Sequence, residues 1–113
     1  MTFTDIKTML AETALPATYY SWPEDDPQHP VPPLPYLVWY LPETENFAAD
    51  DENYKRIETL NVELYTKTKD FETEAAVEAV FNSWNMVWSR SESYLDSETM
   101  YEVLYQMEIY IDG

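Results

Sequence analysis

A chain of 113 residues with 45% hydrophobic and 16% aromatic content can bury one modest core, which excludes a disordered acidic tail. Its 22 acidic residues against 6 basic ones give a net charge of −16, a balance that repels nucleic-acid phosphates and anionic lipid. With no cysteine there is neither a disulfide nor a thiolate zinc site, as suits a reducing compartment. No run approaches the roughly 20 apolar residues of a membrane span, and the first residues lack a signal peptide's basic and apolar regions.

Taken in order, Phe3 to about Ala14 predicts a helix, because Phe3, Ile6, Met9 and Leu10 recur on one face. Thr2 with Asp5 forms a capping box at its start, and Pro16 ends it. Ala17 to Trp22 predicts a short strand of residues suited to a pleated surface. Pro23 to Pro33 reads as an extended loop, stiffened by its prolines and carrying Glu24, Asp25, Asp26 and His29. Leu34 to Leu41 is apolar on both faces, a strand covered on both sides with Pro35 near its start. Pro42 to Arg56 reads as one long loop, and its polar part from Asn46 to Tyr54 is expected to be mobile until a neighbour orders it.

Ile57 to Thr66 alternates, with Leu60, Val62 and Leu64 on one face and Thr59, Asn61, Glu63 and Tyr65 on the other. Lys55 and Arg56 precede this strand and Lys67 and Lys69 follow it, so four of the six basic residues sit at its ends. Asp70 is positioned to cap a helix from Phe71 to about Trp84, with Glu72 and Glu74 where the dipole favours anions. Val77, Val80, Phe81 and Trp84 share its apolar face. Trp88 to Tyr94 predicts a strand, Asp96-Ser97 a turn, and Thr99 to Ile111 a strand in which Tyr101, Val103, Tyr105, Met107, Ile109 and Ile111 alternate with Glu102, Leu104, Gln106 and Glu108. The expected fold is α+β in a single domain, residues 1–113: an antiparallel sheet of four to five strands with two helices packed mainly on one face.

The only glycine is Gly113, so a phosphate loop, a dinucleotide fingerprint or a nucleophile elbow has no internal glycine to turn on. His29, the single histidine, reads as an exposed loop residue rather than a catalytic base. The clusters Glu24-Asp25-Asp26 and Asp50-Asp51-Glu52 lack the alternate spacing and glycine of a calcium loop and read as solvated charge. The two overlapping PxxP patterns between Pro30 and Pro35 read as a rigid connector rather than a peptide-module ligand. No catalytic residue, metal ligand or cofactor is expected, and the chain reads as non-enzymatic. Trp39, Trp84 and Trp88 read as core. Tyr65 is expected to be exposed beside Asn61 and Glu63, where a partner surface would account for it.

The stretch Phe47-Ala48-Ala49-Asp50-Asp51-Glu52-Asn53-Tyr54, then Val62 to Asp70 and Glu74, resembles small structural proteins of long-tailed bacteriophages and prophages. Pro33 to Val38 resembles that family's proline-led second strand, and Glu98 to Val103 the start of its last strand. The resemblance spans about Pro33 to Tyr105. It implies a tail terminator or head–tail connector, a small α+β subunit that forms a ring with itself, commonly of six, on the end of the tail tube. It implies no enzyme activity and no cofactor. The expected partners are the tail-tube and head–tail connector proteins; DNA passes through the ring without specific binding, and no membrane is involved. The expected location is the virion, at the tail or head–tail interface, after assembly in the host bacterial cytoplasm. Candidate contact residues are Phe47, Asp50, Asp51, Tyr54, Lys55, Arg56, Tyr65, Lys67 and Lys69. The competing reading is a monomeric acidic protein that mimics DNA and blocks a nucleic-acid-binding protein.

Overall fold

The computed structural model describes residues 1–22, 30–48 and 54–112, with side chains for all of these except 45–48, 54–55 and 112. The element order is α1 (Phe3–Ala11), β1 (Ala17–Tyr19), β2 (Tyr36–Ala48), β3 (Tyr54–Thr66), α2 (Phe71–Ser83), β4 (Trp88–Leu95) and β5 (Met100–Asp112). The strands form one sheet in the order β1-β2-β3-β5-β4. Three pairings are antiparallel, but β1 runs parallel to β2, with Ala17 opposite Leu37 and Tyr19 opposite Trp39. The fold is therefore α+β with a mixed, mostly antiparallel sheet.

Strand parity decides which face is covered. On β3, Glu58, Leu60, Val62, Leu64 and Thr66 all point inward and are buried. They pair with Ile109, Met107, Tyr105, Val103 and Tyr101 of β5, of which all but Tyr101 are also buried. Onto this face α1 places Ile6, Met9 and Leu10, and α2 places Val77 and Phe81, completing one apolar cluster with Leu37 and Trp39. Phe81 and Trp88 both meet the Tyr105 ring edge-on, at 5.3 and 5.5 Å between centroids. Trp84 packs on the cluster's margin.

Both helices start where their side chains can satisfy free backbone N–H groups. Thr2 and Asp5 form a reciprocal capping box on α1, and Asp70 accepts from the Thr73 N–H at 3.0 Å on α2. α1 stops three residues earlier than its pattern suggested. The Thr13 hydroxyl takes the Leu10 carbonyl at 2.6 Å, and Ala14 turns left-handed at φ 64°. A side chain that bonds the backbone locally competes with the helical ladder.

The largest departure from expectation is the stretch from Pro42 to Arg56. It is not one long loop: β2 continues to Ala48 and β3 begins at Tyr54, paired from Glu43 opposite Thr59 to Ala48 opposite Tyr54. Residues 49–53 between them, and the acidic residues 24–26 and His29, lie outside the described residues. The register slips between Tyr40 and Glu43, so one extra residue of β2 is accommodated beside Pro42, which has no N–H to give to the ladder. Beyond that bulge the polar run pairs with β3 in regular register, and the Thr44 hydroxyl donates to the carboxylate of Glu58 opposite it. Lys55 and Arg56 consequently lie within β3, not before it.

Candidate assembly surface

The sheet's two faces are built differently. The face without helices is tied by hydrogen bonds between side chains. Glu63 accepts from the Tyr40 hydroxyl at 3.0 Å and from the Tyr65 hydroxyl at 2.7 Å, and Glu102 lies 3.3 Å from the same Tyr65 oxygen. Asn61 and Gln106 bond across the adjacent row at 3.2 Å. The Trp22 and Tyr20 rings meet Tyr36 and Tyr40 edge-on, on either side of Val38, and Val38 is only 7% exposed. This explains the apolar character of β2 on both faces.

Tyr65 is accordingly half-buried rather than exposed. Burial, reinforced by its bond to Glu63, pushes its hydroxyl well above the usual tyrosine range. Burial and the nearby Glu63 charge also raise the Glu102 carboxyl, against an opposing hydrogen bond from Tyr65. Among the described residues, no three acidic or histidine side chains come together as a metal site would require. No described helix is long and apolar enough to cross a membrane.

On the helix-bearing face, charge is neutralised internally. Glu74, buried in α2, receives Lys69 Nζ at 2.8 Å and Arg90 at 2.7 Å. Lys69 also reaches Glu92 at 3.1 Å, and Arg90 reaches Glu78 at 3.0 Å. Tyr105 donates to Glu78 at 2.8 Å. The hydrogen bond to Glu74 holds the Lys69 ammonium above its ordinary pKa. At the far end of the sheet Arg56 meets buried Glu58 at 2.6 Å, while Glu58 accepts from the Thr44 hydroxyl. The Arg56 guanidinium lies 5.7 Å from the centre of the Phe3 ring.

The candidate contact residues thus divide. Lys67 is exposed on the turn after β3; Arg56 is partly exposed; Lys69 is committed to Glu74 and Glu92; Tyr65 is held in the open-face network. Phe47, Tyr54 and Lys55 fall within the β2–β3 strands, with side chains outside the description, and Asp50 and Asp51 lie wholly outside it. Lys7 escaped the sequence-level selection. It forms no ion pair among the described residues and projects from α1 one turn after Phe3, a spacing of four that would have signalled a shared face.

Two helices side by side on one face of a five-stranded mixed sheet, with the other face bound by tyrosine–glutamate contacts, define a small α+β sheet protein. That fold is shared with a chain of a solved structure described as the virion of a native gene transfer agent (GTA) particle. The superposition covers 93% of this chain and 84% of that one at a TM-score of 0.55, with 13% sequence identity, so the likeness is one of fold. No protein-family model matches the chain, and no curated protein does.

Proposed function

We propose that this protein is a non-enzymatic structural subunit of a phage-like virion. In this reading it is a tail terminator or head–tail connector that joins copies of itself into a ring, commonly of six, at the end of the tail tube. The observation that carries the reading is the fold shared with the gene transfer agent virion chain over nearly the full length of both. The motif resemblance across Pro33 to Tyr105 points the same way. A ring of subunits each charged −16 would present DNA with a repelling lumen, through which it could slide without sticking. Arg56 and Lys67 are the described members of the candidate contact set that remain accessible to a neighbour. Tail-tube and connector proteins would be the partners, and the virion the location, reached after assembly in the bacterial cytoplasm.

Light scattering coupled to size exclusion, at several salt concentrations, tests this. A ring-sized species, visible as a ring by negative-stain microscopy, is the expected result. A strict monomer at high protein concentration throughout refutes self-assembly and favours the DNA-mimic alternative.

A further inference from the structure

The sheet ends in two unequal edges. At one side β1 pairs over three residues, whereas at the other β4 runs from Trp88 to Leu95 in unbroken register with β5. On its outer side β4 has no strand beside it among the described residues. Natural sheets blunt such an edge with a proline, a lysine, a bulge or a very short strand. β4 has none of these. All of its residues except the two at its ends are exposed.

The strand is also complementary to itself. Trp88, Arg90, Glu92 and Tyr94 lie on the helix-bearing side, opposite Met107, Tyr105, Val103 and Tyr101 of β5. Ser89, Ser91 and Ser93 lie on the other side, opposite Gln106, Leu104 and Glu102. About the central Ser91, then, a cation stands one step before and an anion one step after, with an aromatic ring beyond each. Turned end for end, a second copy presents each charge with its opposite.

Residues directly opposite in an antiparallel pair share a face of the sheet. A pair centred on Ser91 therefore sets Arg90 against Glu92 of the second copy, Glu92 against its Arg90, and Trp88 against its Tyr94. On the other face Ser89 meets Ser93, and Ser91 meets its own equivalent. One position further out Val87 meets Leu95, so that Val87, 87% exposed, and Tyr94, 49% exposed, both gain partners. Moving the centre to Arg90 or to Glu92 sets two like charges directly opposite, which is destabilising. A centre between residues sets the charges of one copy against the serine face of the other. Both groups can still accept the contact. The carboxylate bonds of Arg90 leave from Nη1, and a guanidinium has five N–H donors. The Glu92 side chain is 46% exposed and holds Lys69 through Oε2.

We propose that β4 is a self-pairing edge, through which two copies of this chain join about a two-fold axis at Ser91 into one continuous sheet. Charge and register together commit the occupant to a second copy, because only the chain's own strand carries the matching order of ring, cation, anion and ring. The proposal goes beyond the ring reading and does not rest on it. Contact of one patch with itself closes at two copies, and a ring needs a further surface.

The test is cysteine cross-linking, in a chain that has no cysteine of its own. Opposed Cα atoms of an antiparallel pair lie about 4.5–5.5 Å apart, within reach of a disulfide. Ser89, Ser91 and Ser93 are exposed, so each single replacement is expected to keep the fold, as circular dichroism would show. Under mild oxidation Ser91→Cys is expected to form a covalent dimer. Ser89→Cys and Ser93→Cys each sit about 13 Å from their own equivalents across the axis. Alone, each is expected to cross-link at least about tenfold more slowly than Ser91→Cys, but a mixture of the two should cross-link as Ser91→Cys does. If all three single variants cross-link at one rate, or if Ser91→Cys and the mixture both stay monomeric at high protein concentration and high salt, the pairing is wrong. Either result leaves the ring reading standing.

Discussion

Replacing Glu74 by alanine is expected to destabilise the fold by about 2–3 kcal/mol, through the attachment of α2 to the sheet. The carboxylate is 2% exposed and receives one cation from the turn before α2 and another from β4. A hydrogen bond to a charged group contributes about 1.5–3 kcal/mol when well sequestered. Here the two cations are 21% and 37% exposed and keep second carboxylate partners, Glu92 and Glu78. Water and those partners recover much of the loss, leaving roughly 1 kcal/mol per arm. The buried methylene removed from the side chain adds about 0.8 kcal/mol. At roughly 4 °C per kcal/mol for a domain of this size, the melting midpoint should fall by about 8–12 °C. Lys69→Met and Arg90→Met should each cost less, since each leaves Glu74 one cation. The assay is thermal and urea unfolding at 0.1 M and 1 M salt, and the difference should persist at high salt because the acceptor is buried. A loss below about 0.5 kcal/mol, or one that vanishes in salt, would show that the triad is a solvated surface cluster and would refute the reasoning.

Other expectations concern pH, packing and charge. Glu102 has a folded-state pKa raised above its ordinary 4.5, so the folded protein holds that proton more tightly than the unfolded chain. Its contribution to stability therefore declines as pH rises from 4.5 through the raised value; Glu102→Gln should remove that slope and be the more stable form at pH 7, as unfolding curves across that range would show. Phe81→Ala, which opens a cavity beside Tyr105, should cost about 3–5 kcal/mol by urea unfolding. Lys67→Glu should leave the melting temperature unchanged, whereas Lys69→Glu should lower it by setting a third carboxylate against Glu74 and Glu92. Assembly should strengthen with salt, because screening shortens the reach of repulsion from about 10 Å at 0.1 M to about 3 Å at 1 M, and weakening measured by light scattering would contradict this.

Wherever apolar residues recur with a clean period, the elements were legible from the chain alone. β3 and β5 alternate apart from Ile57, Leu104 and Tyr110, and the same parity that turns Leu60 and Val62 inward also turns Glu58 inward. The far half of β2 was not legible, because Glu43, Thr44, Glu45 and Asn46 carry no alternation. Its backbone pairs with β3 regardless, a tertiary effect that no local pattern records. The parallel pairing of β1 is equally silent in three residues. At the candidate surface, counting basic residues near β3 overlooked that Lys69 already has a carboxylate five residues on in its own chain. Arg90, which shares that carboxylate, arrives from a different strand. Lys7 was passed over because it stands alone in sequence, although the fold sets it beside Arg56 along one groove.

The register of the central strand also bears on how the chain folds. β3 follows β2 after five residues of sequence and pairs with it from Ala48 opposite Tyr54 outward, but it meets β5 between residues as distant as Lys55 and Asp112. Closing the second ladder requires that the whole α2–β4 segment first be ordered or looped out, at an entropic cost that the hairpin does not face. The β2–β3 hairpin should thus form early and β5 should dock late. Core substitutions on β5, such as Ile109→Val, should then speed unfolding while leaving the folding rate nearly untouched. During that interval both long edges of the hairpin stand open to other chains. A chain made in many copies at once would be at its most sticky then, before its last strand arrives.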